Sequence, residues 1–210
     1  MYPVIKRELP GLEAFLALSH NRLYPKRSTI LCAEAESHSI FYLLKGSVTV
    51  SIEDEDGNEI VVAYLNEGAF FGEMGLFDEI SRRSAWVKAK TDCEVAEVSY
   101  SRFQELTNQD TRLLYALGNQ LAVRLRNTTR KVGDLAFMDV TGRVARALLD
   151  LCNEPDAMTH PDGMQIKVTR QEIARIVGCS REMVGRVLKD LEEQGLMSVS
   201  GKTMVVYGTR

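Results

Sequence analysis

Thr169-Arg-Gln-Glu-Ile-Ala-Arg-Ile-Val-Gly-Cys-Ser-Arg-Glu-Met-Val-Gly-Arg-Val-Leu-Lys-Asp-Leu-Glu-Glu-Gln-Gly195 contains two helix starts and two helix stops. Thr169 and Glu172 form a capping box, in which hydroxyl and carboxylate each take an otherwise unpaired helix N–H. A short helix follows through Val177. Gly178-Cys179 turns the chain, and Ser180 caps a second helix that runs to Gln194 and stops at Gly195. Two helices joined by a turn of about three residues containing glycine make a helix-turn-helix. Leu196 to Tyr207, turning at Ser200-Gly201, adds a β-hairpin wing.

The second helix carries its chemistry at its start. Arg181, Glu182 and Arg186 occupy its first two turns, the part of a recognition helix that enters the major groove of DNA. Arginine donates twice to guanine O6 and N7, and glutamate accepts from cytosine N4. A carboxylate facing DNA is costly unless it reads a base or orients an arginine, so its place among arginines favours specific binding. Arg170, Ser180 and Lys202 are candidate phosphate contacts.

Upstream, Met164 to Val168 alternates as a strand, and His160-Pro-Asp-Gly163 is a tight turn. Asn153-Glu-Pro-Asp156 ends an amphipathic helix, Val140 to Cys152, that Asp139 caps. Leu135-Ala-Phe-Met-Asp139 interrupts the helical period and marks a domain boundary. Before it, from Asp110 to Leu135, Leu114, Leu117, Leu121, Leu125, Thr128, Val132 and Leu135 step by three or four. About 25 residues at a rise of about 1.5 Å give a rod of roughly 37 Å. A stripe this long on a charged helix suits pairing with a second copy, the alternative being packing on its own domain.

Further upstream the period becomes that of strands. From Ser28 to Tyr100 the runs Ile40 to Leu44, Ser47 to Ile52, Ile60 to Tyr64, Ala85 to Ala89 and Glu94 to Val98 recur between Lys45-Gly46, Asp56-Gly57-Asn58 and Asn66-Glu67-Gly68. Such punctuation predicts an antiparallel barrel or jelly roll, with Asp56-Gly57 as the best hairpin signal. Within it lies a second constellation, Gly72-Glu73-Met-Gly75-Leu-Phe77 followed by Arg82-Arg83-Ser84-Ala-Trp86. Glycines at a short helix start expose N–H groups that cradle a phosphate, and arginine from the next strand neutralises it. The Glu73 carboxylate can accept a ribose hydroxyl, which a bare phosphate would not require.

The net charge of −3 over 210 residues looks wrong for a DNA binder until it is divided along the chain. Residues 1–110 hold 11 basic against 18 acidic side chains, 111–138 hold 5 against 1, and 169–189 hold 5 against 2. Segregation of this kind is what binding a polyanion needs. With 45% hydrophobic and 26% charged residues, neither disorder nor a membrane protein is suggested. No uncharged apolar run approaches a membrane span, and Lys6, Arg7 and Glu8 precede any apolar run, so no signal peptide is expected and the protein stays in the cytoplasm. Cys32, Cys93, Cys152 and Cys179 are widely spaced, which predicts reduced, mostly buried thiols and neither a disulfide framework nor a metal site. His20, His38 and His160 are isolated and form no metal-ligand spacing. Neither Cys93 nor Cys179 has a histidine or acid partner suggested for it, so no enzyme is expected.

Phe71-Gly-Glu-Met-Gly-Leu-Phe77, Arg83-Ser-Ala-Trp86, Leu135-Ala-Phe-Met-Asp-Val-Thr-Gly-Arg143, Pro155-Asp-Ala-Met-Thr-His-Pro-Asp-Gly-Met164, Ile176-Val-Gly-Cys-Ser-Arg-Glu182 and Gly201-Lys-Thr-Met-Val-Val-Tyr-Gly-Thr-Arg210 span both halves of the chain. Through them it resembles the cyclic AMP receptor/fumarate-nitrate regulator (CRP/FNR) family of bacterial transcription regulators, in its cyclic AMP-responsive branch. The fold this implies is α+β: a jelly-roll-like, cyclic-nucleotide-binding antiparallel β-roll over 1–109, a dimerisation helix and hinge over 110–138, and a winged helix-turn-helix over 139–210.

The resemblance implies that cyclic AMP is an allosteric ligand, with no metal. Gly72, Glu73, Arg83 and Ser84 would hold its ribose and phosphate, and Thr128 and Thr129 its adenine, one of them across a homodimer. Arg181, Glu182 and Arg186 would read a palindromic double-stranded operator with TGTGA-like half-sites. RNA polymerase would be contacted by the surface turn Asp156, Ala157, Met158, Thr159, His160, Pro161, Asp162, Gly163 and Met164. A second, basic contact would be His20, Arg22 and Arg102, and the acidic run Glu53-Asp-Glu-Asp56 a third. Ile80-Ser81-Arg82, Met183 and Thr129 depart from the family pattern. Arg83 is chosen over Arg82 for the phosphate because it directly precedes Ser-Ala-Trp. Relatives that sense oxygen through an iron–sulfur cluster, carbon monoxide through haem, or cyclic di-GMP supply the alternative signals. An N-terminal cysteine cluster is absent, and Arg83-Ser84 favours the monoanionic cyclic AMP phosphate.

Overall fold

The computed structural model describes residues 9–77 and 82–209. Lys6, Arg7, Glu8, the Ile80-Ser81 pair and Arg210 lie outside the described residues. The chain divides into two compact units, one of residues up to 56 with 61–127, the other of 57–60 with 128–210.

The first unit opens with α1 (Leu12–Ala17), followed by β1 (His20–Tyr24), β2 (Thr29–Leu31), β3 (Ser39–Lys45), β4 (Ser47–Glu53), β5 (Glu59–Asn66) and β6 (Phe70–Phe71). Next come α2 (Met74–Phe77), β7 (Trp86–Ala89), β8 (Cys93–Ser99), α3 (Tyr100–Gln109) and α4 (Arg112–Phe137), the last crossing into the second unit. Two four-stranded sheets result, in the orders β1-β8-β3-β6 and β2-β7-β4-β5. This is the antiparallel roll read from the sequence, with every expected strand present.

Strand β3 shows why the run Ile40 to Leu44 is apolar without alternation. Successive side chains on a strand point to opposite faces. Phe41 and Leu43 enter a core with Leu31, Val48, Phe71, Val87 and Val95, whereas Ile40 and Tyr42 enter another with Phe15, Phe70, Phe103, Leu113 and Leu117. The two residues of β6 divide in the same way, Phe71 stacking on Phe41 at 5.2 Å and Phe70 meeting Phe15 edge-on at 5.4 Å. A strand buried on both faces loses the period-2 signature.

The elements not read from the sequence include β2, β6 and the strand Met158–His160, each of two or three residues, and also β1 and α1. Strand β1 carries almost wholly exposed side chains and is held by its antiparallel pairing along β8, so no hydrophobic pattern announces it. Helix α1 has six residues, a glycine N-cap and no side-chain cap bond.

In the second unit, α5 (Val140–Cys152), α6 (Arg170–Val177) and α7 (Arg181–Glu193) pack together. Strands β9 (Met158–His160), β10 (Gly163–Lys167), β11 (Met197–Ser200) and β12 (Thr203–Tyr207) form one sheet in the order β11-β12-β10-β9, so the wing hairpin belongs to a four-stranded sheet. All three expected caps form: Asp139 accepts from Gly142 N at 2.8 Å, Thr169 from Glu172 N at 3.1 Å, and Ser180 from Met183 N at 3.2 Å. Gly178 ends α6 at φ +71°, where an L side chain is strained. Helix α7 buries Val184, Val187, Leu188 and Leu191, an i, i+3, i+4, i+7 stripe.

Along helix α4 the seam read from spacing meets two environments. Leu117 is buried in the core of the first unit and Leu121 packs against that core, whereas Leu114, Leu125, Val132 and Leu135 are exposed. Steps of three and four keep these positions on one face of the helix, and the roll covers that face at Leu117 and Leu121 while leaving Leu114, Leu125, Val132 and Leu135 open. Of the cysteines, Cys93 and Cys152 are buried, Cys179 is half-buried and Cys32 is exposed; all four are free thiols. Burial pushes the Cys93, Cys152 and Cys179 thiols up. Among the described residues no helix is long and apolar enough to cross a membrane.

Candidate functional site

The chain turns at Gly72 with φ +73°, and a Cβ there would lie 2.7 Å from Arg83 Nη1. Any other residue would strain the backbone and displace the guanidinium. Arg83 is only 6% exposed. Its Nη1 donates to the Gly72 carbonyl at 2.8 Å and the Tyr100 hydroxyl at 3.2 Å, its Nη2 to the Ser39 carbonyl at 3.0 Å and hydroxyl at 3.4 Å. The Phe41 ring lies 5.4 Å from its central carbon, within cation–π range. Tyr100 donates to the Gly72 carbonyl at 2.5 Å, which leaves Ser37, 2.6 Å away, as donor to Tyr100. Arg82 points elsewhere: it is exposed and donates to the Glu34 carbonyl at 3.0 Å. Ser84 is exposed beside Arg83.

Glu73 is equally buried, at 6%, and is paired with Arg124 Nη1 at 3.2 Å. Arg124 Nη2 also donates to the Phe70 carbonyl and to Gln120 Oε1. Among the described residues the pocket brings together Arg83 and Arg124 against Glu73, one formal positive charge in sum. Among the described residues, Arg83 is held by neutral oxygens alone. A buried cation without an anionic partner is costly, and an anion bound there relieves the cost.

Sequence reasoning missed Ser37, Ser39, Tyr100, Gln120 and Arg124. Each lies remote in sequence from Gly72 and Arg83, and a lone Ser, Tyr or Arg carries no spacing signal. The polar pair Gln120 and Arg124, four apart on an apolar helix face, was the one available hint. Thr128 and Thr129 are exposed on α4.

In the second unit Arg181, Glu182 and Arg186 are exposed on α7, and Glu182 and Arg186, four apart, share one face. Arg170 of α6 lies alongside α7, its Nη1 3.8 Å from where a Gly185 Cβ would be. The Lys202 carbonyl accepts from Val168 N at 2.9 Å, which brings the wing turn beside the start of α6. Ser180 is exposed, and while its oxygen caps α7 its hydroxyl hydrogen stays available for donation.

Residues 156–164 form the β9–β10 hairpin, with Gly163 opposite His160 and Met164 opposite Thr159. Asp156, Met158, Thr159, Pro161 and Asp162 are exposed there, Ala157, His160 and Met164 half-buried, and Gly163 buried. His20 and Arg22 are exposed two apart on β1, with Arg22 3.6 Å from Glu97. Arg102 lies in the first turn of α3, capped by Ser99 at the end of β8, the strand that pairs with β1. Glu53, Asp54, Glu55 and Asp56 are exposed at the end of β4.

Two family models match: a cyclic nucleotide-binding domain over residues 21–110, and the crp family of bacterial regulatory proteins over 166–197. The chain is 65% identical to the cAMP-activated global transcriptional regulator Vfr of Pseudomonas aeruginosa, over 97% of this chain and 96% of that one. It is 57% identical to the cAMP-activated global transcriptional regulator CRP of Salmonella typhimurium, over 96% of each chain. Among solved structures, the c-di-GMP responsive global regulator CLP of Xanthomonas campestris superposes with a TM-score of 0.90 at 48% identity, covering 95% of this chain and 99% of that one. With full-length relatives well above 50% identity and both family models in place, the chain belongs to the CRP family of bacterial transcription regulators.

Proposed function

We propose that this chain is a cytoplasmic, homodimeric regulator whose affinity for a palindromic DNA operator is raised by cyclic AMP. The observation that carries the reading is the buried Arg83 guanidinium. It is oriented by Gly72, Ser39 and Tyr100, and neutral oxygens alone hold it among the described residues. A cyclic phosphodiester is a monoanion, which matches the single formal positive charge among the described residues of the pocket. Glu73, one residue from Gly72, accepts the ribose hydroxyl. Ser84 adds a phosphate contact, and Thr128 and Thr129 meet the base. The working division is the roll over 1–109, the dimerisation helix and hinge over 110–138, and the winged helix-turn-helix over 139–210. Exposed apolar residues Leu114, Leu125, Val132 and Leu135 support pairing of two copies through α4.

Arg181, Glu182 and Arg186 read bases, while Arg170, Ser180 and Lys202 hold phosphates. Helix-turn-helix dimers, this family included, read half-sites about 34 Å apart, here TGTGA-like. RNA polymerase meets the 156–164 hairpin, with His20, Arg22 and Arg102 as a second contact. Ligand acts by its differential affinity for the DNA-competent arrangement, and linkage requires operator DNA to tighten cyclic AMP binding by the same factor. Operator titrations with and without saturating cyclic AMP test this. Identical affinities would refute it.

A second reading, cyclic di-GMP as the signal, is favoured by the 48% identical Xanthomonas regulator, described as c-di-GMP responsive. The relatives named as cAMP-activated are nearer, at 57% and 65% identity. Calorimetry with cyclic AMP, cyclic GMP and cyclic di-GMP separates the two.

A further inference from the structure

The segment Gly68 to Phe70 has a strand neighbour on one side and side chains where a second neighbour would be. Toward β3, Gly68 N donates to the Leu43 carbonyl at 2.8 Å and Leu43 N to the Ala69 carbonyl at 2.9 Å. On the other side Phe70 N donates to Gln120 Oε1 at 2.9 Å, and Gln120 Nε2 donates to the Gly68 carbonyl at 3.0 Å. A primary amide offers one acceptor and two donors in a plane, the same complement a neighbouring strand presents. The Gln120 carboxamide thus completes the ladder edge that β6 lacks.

One helical turn later the same face of α4 reaches the ligand-binding carboxylate. Arg124 Nη2 donates to the Phe70 carbonyl and to Gln120 Oε1, and Arg124 Nη1 meets Glu73 Oε1 at 3.2 Å. Gln120 is therefore shared between the backbone leading into the pocket and the guanidinium that holds Glu73.

We infer that Gln120 is a positioning residue for the pocket, setting the Glu73 carboxylate, through Arg124 and Phe70, where a ribose 2′-hydroxyl is recognised. This rests on the cyclic AMP reading above. It makes a demand that a merely structural glutamine would not meet. Loss of the carboxamide should weaken the ligand that has the 2′-hydroxyl and spare the one that lacks it, because the hydrogen bonds of Arg83 go to Gly72, Ser39 and Tyr100, whereas those of Gln120 go to Gly68, Phe70 and Arg124.

The test is calorimetry on the full chain with cyclic AMP and 2′-deoxy cyclic AMP, comparing wild type with Gln120→Met, which keeps the length and loses the hydrogen bonds. The expected result is a loss of about tenfold for cyclic AMP and little change for the deoxy analogue, in line with removing a hydrogen bond to a charged group. Gln120→Glu, which retains the acceptor but adds a rival carboxylate for Arg124, should narrow the same ratio and serves if Gln120→Met does not fold. Equal losses for both ligands, or none, in a folded variant would overturn the positioning role. A wild type that fails to bind cyclic AMP would instead overturn the functional reading on which it stands.

Discussion

The nucleotide pocket and the helix-turn-helix hold their charges in opposite ways. In the pocket Arg83 and Glu73 are buried and already hydrogen-bonded by the fold, to Gly72, Ser39 and Tyr100 on one side and to Arg124 on the other. On α7 and the wing, Arg181, Glu182, Arg186 and Lys202 stand in solvent. The difference is one of when desolvation occurs. In the pocket it happened at folding, so a ligand meets fixed donors and one residue can control affinity. At the proposed DNA face it would happen on binding, which spreads affinity over many contacts and ties it to displaced counterions.

Salt should separate the two regions most. Between 50 and 200 mM salt, operator affinity should fall by roughly 10³- to 10⁵-fold if about six to ten phosphates are contacted. Cyclic AMP affinity, governed by a buried pair, should change by less than about tenfold over the same range. Parallel slopes would erase the distinction. The next largest effect is Arg83→Leu, which removes the cation proposed to meet the phosphate and should cost about 2 to 5 kcal/mol of cyclic AMP binding. Arg82→Leu, altering only an exposed contact to Glu34, should leave binding near wild type, and equal losses in the two would remove the phosphate role from Arg83.

At the DNA face the same kind of change should do less, and do it selectively. Arg181→Ala and Arg186→Ala should each relax preference at one base pair by about 1 to 3 kcal/mol, read from affinities for single-substituted operators. Lys202→Ala should weaken every sequence alike and lower the salt slope by about one. If base preference survives both arginine changes, base reading by α7 is wrong.

The two regions were also unequally legible. The helix-turn-helix is specified by neighbours in sequence: Thr169 with Glu172, Gly178 at a left-handed turn, and Ser180 with Met183, all within a few residues. The pocket was legible only where its motif is contiguous, at Gly72-Glu73 and Arg83-Ser84. What orients those residues comes from β3, α3 and α4, so Ser39 and Tyr100 were invisible until the sheets were closed, and Gln120 and Arg124 showed only as a polar pair four apart. The long-helix stripe left its partner open for a related reason. Leu117 and Leu121 satisfy a helical period whether they face their own roll or a second copy, and the partner surface that decides is not encoded in spacing.

The smallest effect concerns Ser180, where a fold-making contact and a proposed DNA contact sit on one oxygen. Its cap on Met183 N predicts that Ser180→Ala destabilises the second unit by about 1 kcal/mol, whereas Ser180→Gly costs only a few tenths, because glycine is tolerated at an N-cap. Thr169→Ala supplies the reference for a cap alone and should cost about the same as Ser180→Ala. The single tryptophan, Trp86, lies in the first unit, so its fluorescence does not follow this loss. Denaturant titration followed by hydrogen exchange at α6 and α7 amides does. If the hydroxyl also donates to a phosphate, Ser180→Gly and Ser180→Ala should lower operator affinity equally and without regard to sequence, although only the alanine variant loses much stability. If Ser180 is a cap alone, Ser180→Gly binds operator as tightly as wild type, and the phosphate contact must be struck from the interface.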